Sequence, residues 1–344
     1  DPFYTADDLP ADALNNELPD SFPFRRGNKN DNNWHIRQDI VVKDINKANH
    51  KALDILMKGI TSLGFIIDAR YEPEVRDIEK LCENIYADAV ELNFACKRNH
   101  LRVVEHVEAL VRKYNRKHED IYGSVDYDPL GDYILTGTFP LSSERSFDYA
   151  HDMILAAKHL PNFKVILVKG SHYHNAGSTL TQELAYSLAQ GVAYLTQLTE
   201  RGLSINQVAP RLKFQFAIGS DYFMEIAKVR AARQLWAHIV KAYGPCSDSK
   251  TRMHVHAVTS NWNKSMYDAY VNMLRTTTEA MAGISGGVDS LTVHPFNSAY
   301  GESTDFSQRI ARNQQLLLKE ESYFDKVVDP AAGSYYIENL TSSI

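Results

Sequence analysis

Short apolar runs alternate with longer amphipathic segments between Ile60 and Gly333 of this chain. The runs are Thr61–Ile67, Val90–Cys96, Tyr133–Phe139, Lys164–Lys169, Leu212–Ile218, Met253–Thr259, Ser290–Phe296 and Asp325–Asp329. Short, near-continuous apolar runs are the pattern of parallel strands covered on both faces. Eight strands with helices between them predict an α/β chain folded as a (β/α)8 TIM barrel, whose chemistry sits on the loops leaving the carboxyl ends of the strands.

The segments between the runs read as helices over Pro73–Ile85, His100–Tyr114, Ser143–Leu160, Leu180–Arg201, Tyr222–Tyr243, Tyr267–Met281 and Phe306–Glu321. Thr179 and Gln182 have capping-box spacing, and Gly202 and Gly244 stand where helices stop. No complete helix follows the eighth run, so the expectation is a fragment of a longer polypeptide with part of its barrel wall missing. The domain reading is an amino-terminal arm and lead-in over residues 1–50, then a barrel over 51–344. Phe22–Gly27 and Trp34–Ile40 fall in the lead-in. Asp1–Asp20 has six acidic residues and no Lys or Arg; it reads equally as a disordered tail or as an arm around a neighbour.

Composition narrows the function classes. The chain has 344 residues and a formal charge of −6, so nothing basic points to nucleic acid or an anionic membrane. No stretch approaches the ~20 apolar residues of a membrane span. Three cysteines without metal spacing suggest a reducing, cytoplasmic setting.

Three loops carry residues suited to chemistry. Gly170–Gly177 holds His172, Tyr173, His174 and Asn175, a set that can donate protons or grip a carbonyl, or simply form a hydrogen-bonded turn. Asp221 and Glu225 follow the fifth run, where helix capping also accounts for them. His254 and His256 alternate along the sixth run, and with His174 or His294 they could make a three-His metal site. No spacing fixes a third ligand, so no metal is assigned. Gly283–Gly287 lacks the ending of a phosphate loop and joins helix to strand, the wrong order.

Longer motifs add a resemblance. Phe216-Ala217-Ile218-Gly219, Phe223-Met224-Glu225-Ile226-Ala227-Lys228, Leu235-Trp236-Ala237-His238, Thr304-Asp305-Phe306-Ser307, Arg309-Ile310-Ala311-Arg312-Asn313 and Gly333-Ser334-Tyr335-Tyr336 closely resemble the methylmalonyl-CoA mutase family. The resemblance implies a barrel whose axis takes the pantetheine arm of an acyl-coenzyme A. It also implies adenosylcobalamin, held by a separate carboxy-terminal domain through an Asp-x-His-x-x-Gly motif that this chain lacks.

The resemblance further implies lost substrate groups. Catalytic members carry a Tyr-rich stretch where this chain has Gly27–Gln38 without Tyr. Reading Tyr133–Leu135 as the third strand puts Thr136 at the position of the Arg that pairs with the substrate carboxylate, and a hydroxyl cannot replace a bidentate guanidinium. Two Gln positions fall at Asp126, which would repel an anionic acyl group, and at Val258. The neighbouring family His is kept as His256. The catalytic His falls at His172 by ungapped counting, or at His174 by matching the Tyr-His pair. Asp221 and Glu225 match positions near the adenosyl group. These losses resemble the small, non-catalytic chain of heterodimeric members, partnered by a large catalytic subunit. The alternative is an active barrel for a neutral acyl-CoA such as isobutyryl-CoA.

Overall fold

The computed structural model describes residues 3–9, 17–67 and 74–344. Its elements run β1 (His35–Val42), α1 (Ile45–Leu56), β2 (Ser62–Ile67), α2 (Val75–Leu81), β3 (Glu91–Ala95), α3 (His100–Lys113), β4 (Gly123–Val125), α4 (Pro129–Thr136) and α5 (Ser143–Ala156). They continue with β5 (Phe163–Lys164), β6 (Ile166–Lys169), α6 (Ser171–Asn175), α7 (Leu180–Glu200), α8 (Ile205–Val208), β7 (Leu212–Ile218) and α9 (Tyr222–Ala242). The last are β8 (His254–Thr259), α10 (Val271–Ser285), β9 (Ser290–Thr292), α11 (Asp305–Leu316) and α12 (Tyr335–Ser343). The strands form one sheet in the order β5-β4-β3-β2-β1-β9-β8-β7-β6. Since β5 and β6 are two pieces of one strand interrupted at Val165, this order returns to its starting point: the fold is the expected TIM-barrel-like α/β sheet.

Two of the eight runs are not strands, and two strands lie where no run was counted. β1 pairs in parallel with β2 from Arg37 to Val42, although its residues had been assigned to the lead-in ahead of residue 51. Its apolar pattern is masked because Arg37 is buried and ion-paired with Asp39. β4 is only Gly-Ser-Val, too short to register as an apolar run, and a Cβ on Gly123 would run into the Leu92 carbonyl. Tyr133–Leu135 belongs to α4. The Asp128 side chain accepts from the Gly131 N–H, Pro129 stands at the first turn, and Gly137 closes the helix at φ 72°. These end signals outweigh the apolar character of a run whose Tyr133, Ile134 and Leu135 all face solvent. Asp325–Asp329 is turn and bend. With the strands renumbered, α11 is the helix that follows the last one.

The other helices lie within a few residues of their predicted spans, although residue 73, the predicted start of the second, is outside the described set. No described helix is long and apolar enough to cross a membrane.

The chain divides into two compact units, one comprising Asp1–Trp34, Gly170–Ala189 and Phe214–Ile344, the other His35–Lys169 and Gln190–Lys213. In the first, α9 is the central helix. Trp236 is fully buried and meets Phe214 edge-on at 4.7 Å. Arg230 donates to Glu338 at 2.7 Å and to Thr341 at 3.1 Å, and its Nε lies 3.1 Å from Asp329, tying α12 and the turn before it to α9. Arg233 donates to the carbonyls of Gly286 at 2.7 Å and Phe24 at 3.1 Å, which makes Gly283–Gly287 a structural turn. Within the amino-terminal segment, Tyr4 packs on Tyr336 at 4.8 Å and Asn339 donates to the Asp8 carbonyl, so the described residues 3–9 fold back on their own α12. Residues 1–2 and 10–16 of the acidic segment lie outside the described set.

In the second unit, the strands β1 to β4 alternate apolar side chains such as Ile36, Ile40, Leu63, Phe65, Leu92 and Phe94, all buried, with polar or small residues. The polar set is Arg37, Asp39, Ser62, Gly64, Glu91, Asn93, Ser124 and Asp126, and it builds one of the two polar clusters described next.

Candidate functional site

The first unit resumes at Gly170, where the chain enters α6. Gly170 is required there because a Cβ would lie 2.5 Å from the Ser187 hydroxyl and 3.0 Å from the Gln215 carbonyl. This turn presents His172, Tyr173 and His174 in succession, all partly exposed. His174 Nε2 is 2.7 Å from the Ser260 hydroxyl, and its Nδ1 is 3.8 Å from Glu183. Burial lowers the His174 pKa, with Glu183 opposing. Gly177, at φ 94°, lies under the Trp262 ring.

Behind this turn lies a buried ionic triad. Lys228 donates to Glu183 at 2.7 Å and stands 2.6 Å from Glu225. Glu183 also accepts from the Ala217 N–H, and Glu225 from the Gly219 N–H, both at the end of β7. Burial alone would lower the Lys228 ammonium; the two carboxylates instead hold it above its ordinary value. Burial raises Glu225, against the pull of Lys228. A second pair, Lys264 with Glu279 at 2.6 Å, fixes the segment after β8 to α10, with Asn263 donating to the same carboxylate.

The strand histidines are separately engaged. His256 Nδ1 is 2.8 Å from the Ser290 hydroxyl, His254 Nδ1 is 3.9 Å from Asp289, and His294 Nδ1 donates to the Thr259 carbonyl at 2.7 Å. Among the described residues no three His, Cys, Asp or Glu side chains form a group able to hold a metal. Val258 is buried in β8. Asp221 is exposed at the start of α9 and makes no side-chain capping bond, while Glu225 has both oxygens committed.

The second unit holds a different cluster. Arg37 Nε donates to Asp39 at 2.7 Å, and its guanidinium is 4.0 Å from Asp126. Lys213, 1% exposed, lies 3.6 Å from Asp126 and donates to Asn93 at 3.0 Å and Ser124 at 2.9 Å. Ser62 donates to Glu91 at 2.5 Å, and Asn93 bridges to Ser62. Burial would raise Asp126, but Lys213 and Arg37 bring it below its ordinary value. Burial lowers Lys213. Asp126, expected as a repelling charge, is thus a neutralised one. A Cβ on Gly64 would strike the Asp39 carboxylate, so this glycine makes room for the pair. Thr136 is exposed at the end of α4, its hydroxyl donating to the Asp132 carbonyl at 2.7 Å. It ends a helix where the sequence predicts the end of a strand, and it lies on the segment leaving β4.

Sequence reasoning missed Arg37, Asp39, Glu91 and Lys213, and the partnership of Glu183 with Lys228. The available signal was a charge at alternate positions of a β segment, as in Leu212-Lys213-Phe214-Gln215-Phe216, which marks groups paired on one face of a sheet.

Residues 73–344 match the family model described as methylmalonyl-CoA mutase. The chain is 46% identical over its whole length to the methylmalonyl-CoA mutase small subunit of Porphyromonas gingivalis, of which it covers 55%. This chain belongs to the methylmalonyl-CoA mutase family. It is also 34% identical over its whole length to the small subunit from Streptomyces virginiae, covering 55% of that protein. Against the Escherichia coli methylmalonyl-CoA mutase the identity is 32%, again across all of this chain and 52% of the relative. The chain thus spans about half the length of the curated relatives it matches. Several of the motifs that carried the mutase resemblance serve the scaffold: Trp236 fills the core and Lys228 locks two carboxylates.

Proposed function

We propose that this chain is the barrel part of a methylmalonyl-CoA mutase small subunit, that it pairs with a large catalytic subunit in a heterodimer, and that it does no chemistry itself. The heterodimer interconverts methylmalonyl-CoA and succinyl-CoA in the cytoplasm. Adenosylcobalamin supplies the radical when bound to the holoenzyme, and this chain holds none of it.

One observation carries the reading. A substrate carboxylate in a buried site needs a cation free to pair with it. The buried strand cations Arg37 and Lys213 are already committed to Asp39 and Asp126. Arg211, buried just before β7, donates to the Leu160 and Phe163 carbonyls. Thr136 brings only a hydroxyl. The names of the two small-subunit relatives agree with this reading, as does the 46% identity to one of them. No observation favours the neutral acyl-CoA alternative over it.

The test is co-purification. The full-length polypeptide, tagged and expressed in its native host, should bring down one larger mutase chain in equimolar amount. Recovery of the tagged polypeptide alone, or only as a homodimer, would reject the heterodimer.

A further inference from the structure

The first unit contains a cleft that the mutase reading does not use. Its volume is about 670 Å³, and it is lined by Phe3, Tyr4, Phe223 and the run Gly333–Tyr336. That volume falls in the range of ~300–1,000 Å³ typical of small-molecule sites. Three pieces of chain form it: the amino-terminal strap, the first turn of α9, and the turn entering α12.

Its rings are arranged to leave faces open. Tyr336 is held between Tyr4, at 4.8 Å and 44°, and Phe223, at 5.7 Å and 72°. Both contacts are tilted or edge-on, as is that of Tyr222 with Phe223 at 5.3 Å, so none of these rings is stacked flat on another. Phe3 is 75% exposed, Phe223 48% and Tyr335 41%. Gly333 sits at φ 81° with open space where a Cβ would stand, so the floor beside the rings is unfilled. Ser334 and the tyrosines bring hydroxyls to the lining, and among the described residues no charged side chain lines the cleft.

We infer that this cleft binds a neutral planar heteroaromatic ring, stacked on the exposed rings of Phe223 and Tyr335 and hydrogen-bonded at its edge by the hydroxyls. A flat ring recovers the stacking that the tilted protein rings leave unused. A cation would also favour the ring faces. Among the described lining residues it would find no carboxylate to neutralise it. The site goes beyond the mutase reading and is independent of it.

The experiment titrates the protein with caffeine, a soluble uncharged purine, by calorimetry, and repeats the titration with tetramethylammonium chloride. The expected result is saturable caffeine binding with a Kd of about 1 mM or tighter. Phe223→Ala and Tyr335→Ala alter exposed side chains, and each should weaken binding about tenfold, the usual scale for losing one stacking partner. Their thermal unfolding should stay close to that of the parent. Lack of saturation by about 10 mM caffeine overturns the site. So does binding that both substitutions leave unchanged. Tetramethylammonium binding that the same substitutions abolish, without caffeine binding, overturns the assignment to a neutral ring.

Discussion

Single side chains in this protein show how burial and charge trade against each other. Lys228 neutralises two buried carboxylates, Glu183 and Glu225. Lys228→Met would leave both without a counter-charge, and removing one partner of a buried pair costs about 3–5 kcal/mol. Urea denaturation of the variant should show a loss of that size; a loss below about 1 kcal/mol would mean that water or relaxation compensates the triad. His100 gives the pH dependence. It is buried against Tyr127, and burial lowers its pKa to about 4. A base whose folded value is depressed contributes stability that is complete above its ordinary value near 6.5. That contribution is lost as pH falls towards 4, where the unfolded chain takes up the proton first. The loss from this one group should reach about 3 kcal/mol at pH 4. Melting curves from pH 7 to pH 4 should therefore fall less steeply for His100→Gln than for the parent, once each is referred to its own value at pH 7.

At the scale of elements, apolar content and end signals compete. Tyr133–Leu135 has the composition of a strand, yet Asp128, Pro129 and Gly137 make it a helix with its apolar residues in solvent. Leu135 is 57% exposed, so Leu135→Glu should change unfolding free energy by no more than about 0.5 kcal/mol. A buried strand leucine would cost several times that, and such a loss would contradict the helix. β1 was hidden for the opposite reason. Its Arg37 and Asp39 look like solvent-facing residues until Arg37 is seen buried with Asp126 4.0 Å away, and such a contact between distant segments is not written in local sequence. β4 escaped because Gly123 and Ser124 carry almost no apolar area. The strands β2, β3, β7 and β8 were legible because each carries several buried apolar residues within five to seven positions, such as Leu63 and Phe65, Leu92 and Phe94, Phe214 and Phe216, and Val255 and Val258. Of the site, the turn Gly170–Gly177 was legible from its histidines. The partners that define those histidines, Ser260 and Glu183, come from distant elements and were not. Gly64 tests this level directly: Gly64→Val should displace the Arg37–Asp39 pair and destabilise the protein by more than about 2 kcal/mol, read by the same denaturation.

For the whole molecule, the fold and the family are plain, and the proposed role follows from where the charges went. A barrel that served an anionic thioester would keep a free guanidinium for it. Here the buried strand cations Arg37 and Lys213 hold the protein's own carboxylates, and the ionic groups of the first unit brace β7, α7 and α9 against one another. The account therefore predicts a supporting chain that depends on a partner for chemistry. The most direct measurement is conversion of methylmalonyl-CoA to succinyl-CoA with adenosylcobalamin present, by the full-length polypeptide alone and after mixing with the large mutase subunit. Turnover only in the mixture is the predicted result. Turnover by the polypeptide alone at a rate near that of the mixture would contradict it.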